Sequence, residues 1–184
     1  RRMKTEKLLL AVDGTPMVER VIQAARASLL DEVLLVYQNE GIKKAGEKHG
    51  IKTVYNECAA AGQSASIKIG IEAASPGTDG FMFLVGDQPF LNAAVINTVI
   101  DAFNREPHNI IVPVYNGKRG NPVIFPAALK NYLLALEGDR GGRVIIETMP
   151  ERVNLVSIED ERLGTDVDTE EDYKRIRKQT FKRR

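Results

Sequence analysis

The apolar run Phe81-Met82-Phe83-Leu84-Val85 ends directly in Gly86-Asp87-Gln88-Pro89. Such a run is expected to be a strand covered on both faces. Asp87 is then carried to the carboxyl edge of a sheet, where ligands of α/β sheets bind. Glycine ahead of the acid lets a backbone or a phosphate come close, and proline stiffens the turn behind it. A carboxylate is a hard ligand that suits Mg2+, which keeps several waters and takes one or two carboxylates plus phosphate oxygens. The same tetrapeptide also reads as a plain strand-end turn with Asp87 capping the next helix. A second acidic group follows Gly164-Thr165: Asp166-Val167-Asp168-Thr169-Glu170-Glu171-Asp172. Thr169 and Asp172 have capping-box spacing, with Asp in place of Glu or Gln, so that pair is structural. Asp166 and Asp168 alternate along an extended segment and share a side. One of them is the candidate to complete a metal site with Asp87.

Cations and flexible loops could serve an anionic ligand. Arg1, Arg2, Lys4 and Lys7 precede Leu8-Leu9-Leu10. Charges there could neutralise a triphosphate and its pyrophosphate leaving group, or be an ordinary basic terminus. Gly62-Gln63-Ser64-Ala65-Ser66 leads into a helix. Its free N–H groups and hydroxyls favour an anion or a nucleotide edge; capping by Ser64 explains the segment equally well. Gly117-Lys118-Arg119-Gly120-Asn121-Pro122 and Gly138-Asp139-Arg140-Gly141-Gly142-Arg143 are flexible and basic. Either could hold a phosphorylated acceptor, and either could be only a turn.

The elements that must position these residues are legible from periodicity. Apolar runs alternate with amphipathic segments, the pattern of an α/β domain. Thr15-Pro16 looks like a helix start, with Thr15 as cap and Pro16 in the first turn, and that helix runs to about Ala27. Strands are expected over 32–37, 51–55, 81–85, 109–114, 121–125 and 153–156. Helices are expected over 42–49, 64–74, 93–103, 126–136, 143–148 and from Glu170 onward. Asn116-Gly117-Lys118-Arg119-Gly120 is a turn signal, so the strands around it read as a hairpin. The order implies a Rossmann-like three-layer sandwich with a mainly parallel sheet and right-handed crossovers. The carboxyl-edge rule then selects three loops, 56–62, 86–90 and the stretch before Glu170. The chain opens on basic residues where such a sheet usually has a strand. The expectation is a single domain over 1–184 whose first strand and half of a glycine-rich loop are absent.

Composition excludes several classes. At 184 residues with 43% apolar and 28% charged residues, the chain can bury a core and is not a disordered segment. A net charge of +1 gives no bulk attraction to nucleic acid or membrane. The seven basic residues from Lys174 to Arg184 have only Phe181 among them, without the interleaved aromatics of nucleic-acid modules. They read as a solvated helix end. The single cysteine, Cys58, excludes an intrachain disulfide, and the two histidines lie in polar stretches away from it. No long apolar run or signal peptide is present, so the expected location is the cytoplasm.

Taken together, the motifs resemble one family. In order they are R-M-x-x-x-K-L-L-L, D-G-T-P, G-x-S-x-S, G-D-Q-P, G-N-P-V, G-D-R-G-G-R and D-x-D-T-x-E-D. The series resembles the molybdenum cofactor cytidylyltransferases and the wider group of MobA-like NTP transferases, over nearly the whole chain. The resemblance implies CMP transfer from CTP to the terminal phosphate of molybdopterin, release of pyrophosphate and a need for Mg2+. A molybdoenzyme or its chaperone is the implied further partner. Arg2 and Lys7 match the second half of the family's phosphate loop and inherit triphosphate contact. Asp87 matches the metal-binding acid and Asp168 the second acid; Lys7 and Asp87 are the expected catalytic pair. Ser64 and Ser66 match the nucleotide-side segment. Acceptor contacts fall on Asn121, Pro122, Arg140 and Arg143. Two departures stand out: Lys4 occupies a family glycine position, and Asn121 stands where many members have histidine. The competing expectations are a guanylyltransferase, a transferase acting on a sugar or polyol phosphate, and a non-catalytic binding protein or chaperone for the cofactor. A nucleic-acid module rests only on the basic termini.

Overall fold

The structure is a computed structural model and describes residues 7–181. A short 3-10 turn, Lys7–Leu9, leads into β1 (Ala11–Val12) and β2 (Thr15–Pro16). These pair antiparallel, with Val12 opposite Thr15. Asp13 and Gly14 between them have φ of 51° and 79°, as a two-residue type I′ turn demands, and Asp-Gly is the sequence that turn favours. This corrects the expectation of Thr15 as helix cap. The hairpin ties up Thr15, and helix α1 (Met17–Arg26) starts after Pro16, which holds the N-cap position without a side-chain bond.

The chain continues through β3 (Leu34–Tyr37), α2 (Glu40–Lys48), β4 (Lys52–Tyr55), α3 (Gln63–Ala73), β5 (Gly80–Phe83) and α4 (Ala93–Arg105). Next come β6 (Ile110–Tyr115), β7 (Lys118–Arg119), β8 (Val123–Pro126), α5 (Lys130–Leu134), α6 (Arg143–Thr148), β9 (Val153–Ile158) and α7 (Glu170–Phe181). The side chain of Asn39 caps α2 and that of Asn92 caps α4. The expected helix over 126–136 shrinks to α5 after a 3-10 turn, because Pro126 completes β8 opposite Gly80.

The main sheet is mixed. β8 lies between β5 and β6 and runs antiparallel to both, while β9 runs parallel to β6. β5, β6 and β9 therefore share one direction, and the loops after β5 and β9 leave from the same edge. The two strands expected to form a hairpin, β6 and β8, do pair antiparallel, but the tight turn at Asn116-Gly117 joins β6 to the short β7 that precedes β8. β3 and β4 pair in parallel as a separate ladder.

Side-chain alternation along β6 builds the three layers. Ile110 and Val112 join Ile67 and Ile71 of α3, Leu133 of α5 and Ile145 of α6 on one face. Ile111 meets Val99, Ala102 and Phe103 of α4 on the other. Helix α1 divides its burial, giving Val21, Ala24 and Ala25 to a cluster with α4, and Val18 and Ile22 to one with α2. Between β3 and β5 lies an apolar-walled cleft of about 1750 Å3, bordered by both strands and by α1 and α3. Every residue of β3 and β5, which border it, is half-buried. No helix among the described residues is long and apolar enough to cross a membrane.

Candidate active site

Two leucines seat the first site residue. Leu8 and Leu9 pack against Val18, Ile22 and Ile42, which fixes the backbone at Lys7. Gly86 completes the fit, since a Cβ there would stand 3.3 Å from the Leu8 side chain. Close approach at Gly86 brings Lys7 over the end of β5. Its ammonium donates to Asp87 Oδ2 at 2.7 Å and to Asp168 Oδ1 at 3.0 Å. Residues far apart in sequence thus meet at the edge where the loops after β5 and β9 emerge.

The second acidic loop is held in place by packing and by main-chain bonds. Val167 is fully buried with Val12, Met17 and Ile176, and its N–H donates to Asp87 O at 3.0 Å. Tyr173 of α7 donates to Ala11 O at 2.6 Å, which fastens the helix to the hairpin. The capping box forms reciprocally: Thr169 N–H donates to Asp172 Oδ2 and Asp172 N–H to Thr169 Oγ1, at 3.0 and 3.1 Å. Of the alternating acids, Asp168 reaches Lys7, whereas Asp166 accepts from Gln88 Nε2 at 2.8 Å.

Electrostatics follow from this crowding. Burial works against the Lys7 charge, but hydrogen bonds and Coulomb attraction from Asp87 and Asp168 outweigh it and raise its pKa above the ordinary lysine value. Desolvation is the chief cause that raises the Asp166 pKa, and the charges of Asp87 and Asp168 add to it; the Gln88 bond and Lys7 oppose. Burial, then the Asp166 charge, pushes the Tyr115 hydroxyl up to about 12, so it stays a donor and binds Asn121 O at 2.6 Å. Asp168 is 71% exposed. Ion pairs of that class contribute about 0–1 kcal/mol, so a competing ligand can open this one at little cost to the fold.

The remaining expected residues form a second group. Ser66 Oγ accepts from the buried Asn56 Nδ2 at 3.0 Å. Ser64 is buried, and its N–H donates to Gly138 O at 3.1 Å. Gln63 N–H donates to Asp139 Oδ1 at 3.3 Å, so the 138–143 loop already covers the start of α3. Ser66, Asn121 and Arg143 line the large cleft, which also reaches Leu8 and Gly86. Pro122 is buried after a cis peptide bond to Asn121. Arg140 is exposed, and Arg143 pairs with Glu147 at 2.7 Å along its own helix. Lys7, Asp87 and Asp168 converge; Ser64, Pro122 and Arg140 do not line that cleft. Arg2 lies outside the described residues.

Sequence reading passed over three residues. Arg20 donates to Pro89 O at 2.8 Å and Val12 O at 3.2 Å, bracing the acidic turn against the hairpin. Asn56 holds Ser66 and also accepts from Cys58 N–H at 2.9 Å. Gln88 bridges the two acidic loops. Arg20 had no distinguishing signal, since its amphipathic helix also carries Glu19, Gln23 and Arg26. Asn56 follows β4 directly, the position favoured for site residues.

The profile of the MobA-like NTP transferase domain matches residues 1–153. The chain belongs to that family. This NTP transferase is therefore a nucleotidyltransferase with a Rossmann-like α/β fold. It is 28% identical over 189 residues to the purine catabolism protein PucB of Bacillus subtilis strain 168, covering 97% of this chain and 91% of that one. It is 30% identical over 119 residues to a probable molybdenum cofactor guanylyltransferase of Natranaerobius thermophilus, covering 64% and 56% respectively. Rv0371c of Mycobacterium tuberculosis H37Rv, solved in complex with manganese, superposes with a TM-score of 0.79 at 25% identity, covering 94% of this chain and 91% of that one.

Among the described residues no group of three or more His, Cys, Asp or Glu side chains gathers as a metal cage. Two carboxylates on one ammonium remain. That donor set fits an ion such as Mg2+, which takes one or two protein carboxylates and completes its shell with water and phosphate oxygens.

Proposed function

We propose that this NTP transferase moves CMP from CTP to the terminal phosphate of molybdopterin and releases pyrophosphate. The convergence of Lys7, Asp87 and Asp168 at one sheet edge carries the reading. Two acids and a cation at the exit of the strands are what a polyphosphate with its metal needs. The choice of CTP rests on the G-D-Q-P and D-x-D-T motifs.

In the reaction an acceptor phosphate oxygen attacks the α-phosphorus in line. A new P–O bond forms, the α–β anhydride bond breaks, and its electrons leave with pyrophosphate. The nucleophile is already ionised, so the protein need not supply a base; its task is placement and charge stabilisation. Asp87 and Asp168 would hold a divalent cation, Mg2+ in this reading, which supplies Lewis-acid neutralisation of phosphate charge. Lys7, freed from Asp168 by the incoming triphosphate, stabilises the departing pyrophosphate, a role that Arg2 shares in this reading. Ser64 and Ser66 serve the nucleotide side. Asn121, Pro122, Arg140 and Arg143 serve the acceptor, and Arg143 must leave Glu147 to do so. A molybdoenzyme or its chaperone would receive the product.

Transfer of GMP is the second reading, favoured by the similarity to a protein named molybdenum cofactor guanylyltransferase. Calorimetric titration with CTP, GTP and ATP, with and without Mg2+, separates the two. The expected result is metal-dependent CTP preference that Asp87→Ala abolishes. Preference for GTP would move the assignment to guanylyl transfer, and metal-independent binding unaffected by Asp87→Ala would remove the catalytic reading.

A further inference from the structure

We propose that Gln88 is a positioning residue that sets metal affinity by holding Asp168 in place, an inference that rests on the metal site just proposed. Gln88 is 1% exposed, at the turn where Asp87 leaves β5. Its side-chain nitrogen donates to Asp166 Oδ1 at 2.8 Å and to Gly164 O at 3.3 Å. Both partners are acceptors, so chemistry fixes the amide orientation: the NH2 group must face them. The amide oxygen turns the other way and meets no donor among the described residues.

A buried polar group with one end unsatisfied costs stability. A methionine of similar length would fill the same space without that cost, so packing alone does not call for glutamine here. The donor pair does something packing cannot. It spans the two loops at residues 164 and 166, while Val167 N–H to Asp87 O adds a third tie at 3.0 Å. These three bonds pin the segment immediately before Asp168, whose own side chain is 71% exposed and has little packing to fix it. Asp168 thus reaches the Lys7–Asp87 pair because its loop is clamped upstream. Groups that orient metal ligands without touching the metal typically change affinity about 10- to 100-fold when removed.

The test uses the full chain and Mn2+ as probe. Its dissociation constant is measured by calorimetry for wild type, Gln88→Met, Asp168→Asn and the double variant, beside amide exchange at Val167 and the thermal midpoint of each. Gln88→Met is expected to weaken Mn2+ binding about tenfold and to speed exchange at Val167, with the midpoint held. In the double variant Gln88→Met should add nothing to the loss from Asp168→Asn, because Gln88 acts through Asp168. Unchanged Mn2+ affinity in Gln88→Met, or a fully additive double variant, overturns the proposal. A wild-type chain that binds no Mn2+ removes the metal site itself. In that case exchange at Val167 still reports whether Gln88 holds the loop, so the two failures are told apart.

Discussion

Lys7 joins two acids whose positions in the chain differ by 81 residues, and the site depends on that junction. Lys7→Met keeps the alkyl stem but removes the charge proposed to neutralise pyrophosphate. Turnover is expected to fall on the order of 10²-fold or more, measured as pyrophosphate release under saturating nucleotide. Asp87→Ala should cost at least as much with an unchanged circular dichroism spectrum; near-normal turnover in that variant would sink the catalytic assignment. These residues were legible because each sits in a contiguous motif beside a readable element: Asp87 after an apolar strand, Asp168 before a capping box. Arg20 and Gln88 were not, because the partners that tie them across the site, Pro89 for Arg20 and Asp166 for Gln88, lie 69 and 78 residues away. No local pattern specifies a contact over that distance. The alternation of Asp166 and Asp168 left the choice between them open; burial of Val167 turns both acids outward, where Gln88 holds Asp166 and Lys7 holds Asp168.

Elements were mostly legible because helical and strand periods differ, and the misses have physical causes. Asp-Gly-Thr-Pro carries both a hairpin signal and a helix-start signal, and the hairpin wins because β1 and β2 pair across it. Gly14→Ala is expected to cost about 1 kcal/mol, since it places a Cβ at φ 79°; urea titration should show a lower midpoint at constant slope. Between α1 and α2, buried Glu19 accepts from Lys48 Nζ at 2.7 Å and lies 3.1 Å from His49 Nε2. Burial raises its pKa, yet the bonds to Lys48 and His49 outweigh that and leave it lowered. Stability from this group is therefore present above the ordinary value near 4.5 and lost as pH falls through the lowered folded value. Glu19→Gln should reduce the thermal midpoint at neutral pH, with the difference from wild type shrinking in acid. A difference that stays constant down to pH 3 would show that the carboxylate charge is not the cause.

At the scale of the whole molecule, layer order followed from the alternation of helices and strands, and the opposed directions of β6 and β8 from the turn signal between them. The insertion of β8 between β5 and β6, which makes the sheet mixed, has no local signal, because it pairs residues forty or more positions apart, such as Phe83 with Val123. Among the described residues the β3–β4 ladder forms no backbone pairs with the five-stranded sheet. Side chains join the two, with Leu8 and Leu9 packed beside Val18 and Ile22 of α1, Ile42 of α2, and Leu35 and Tyr37 of β3. The two leucines that hold Lys7 over Asp87 thus also bind the smaller ladder to the domain, so loosening that apolar packing would loosen the charged site with it.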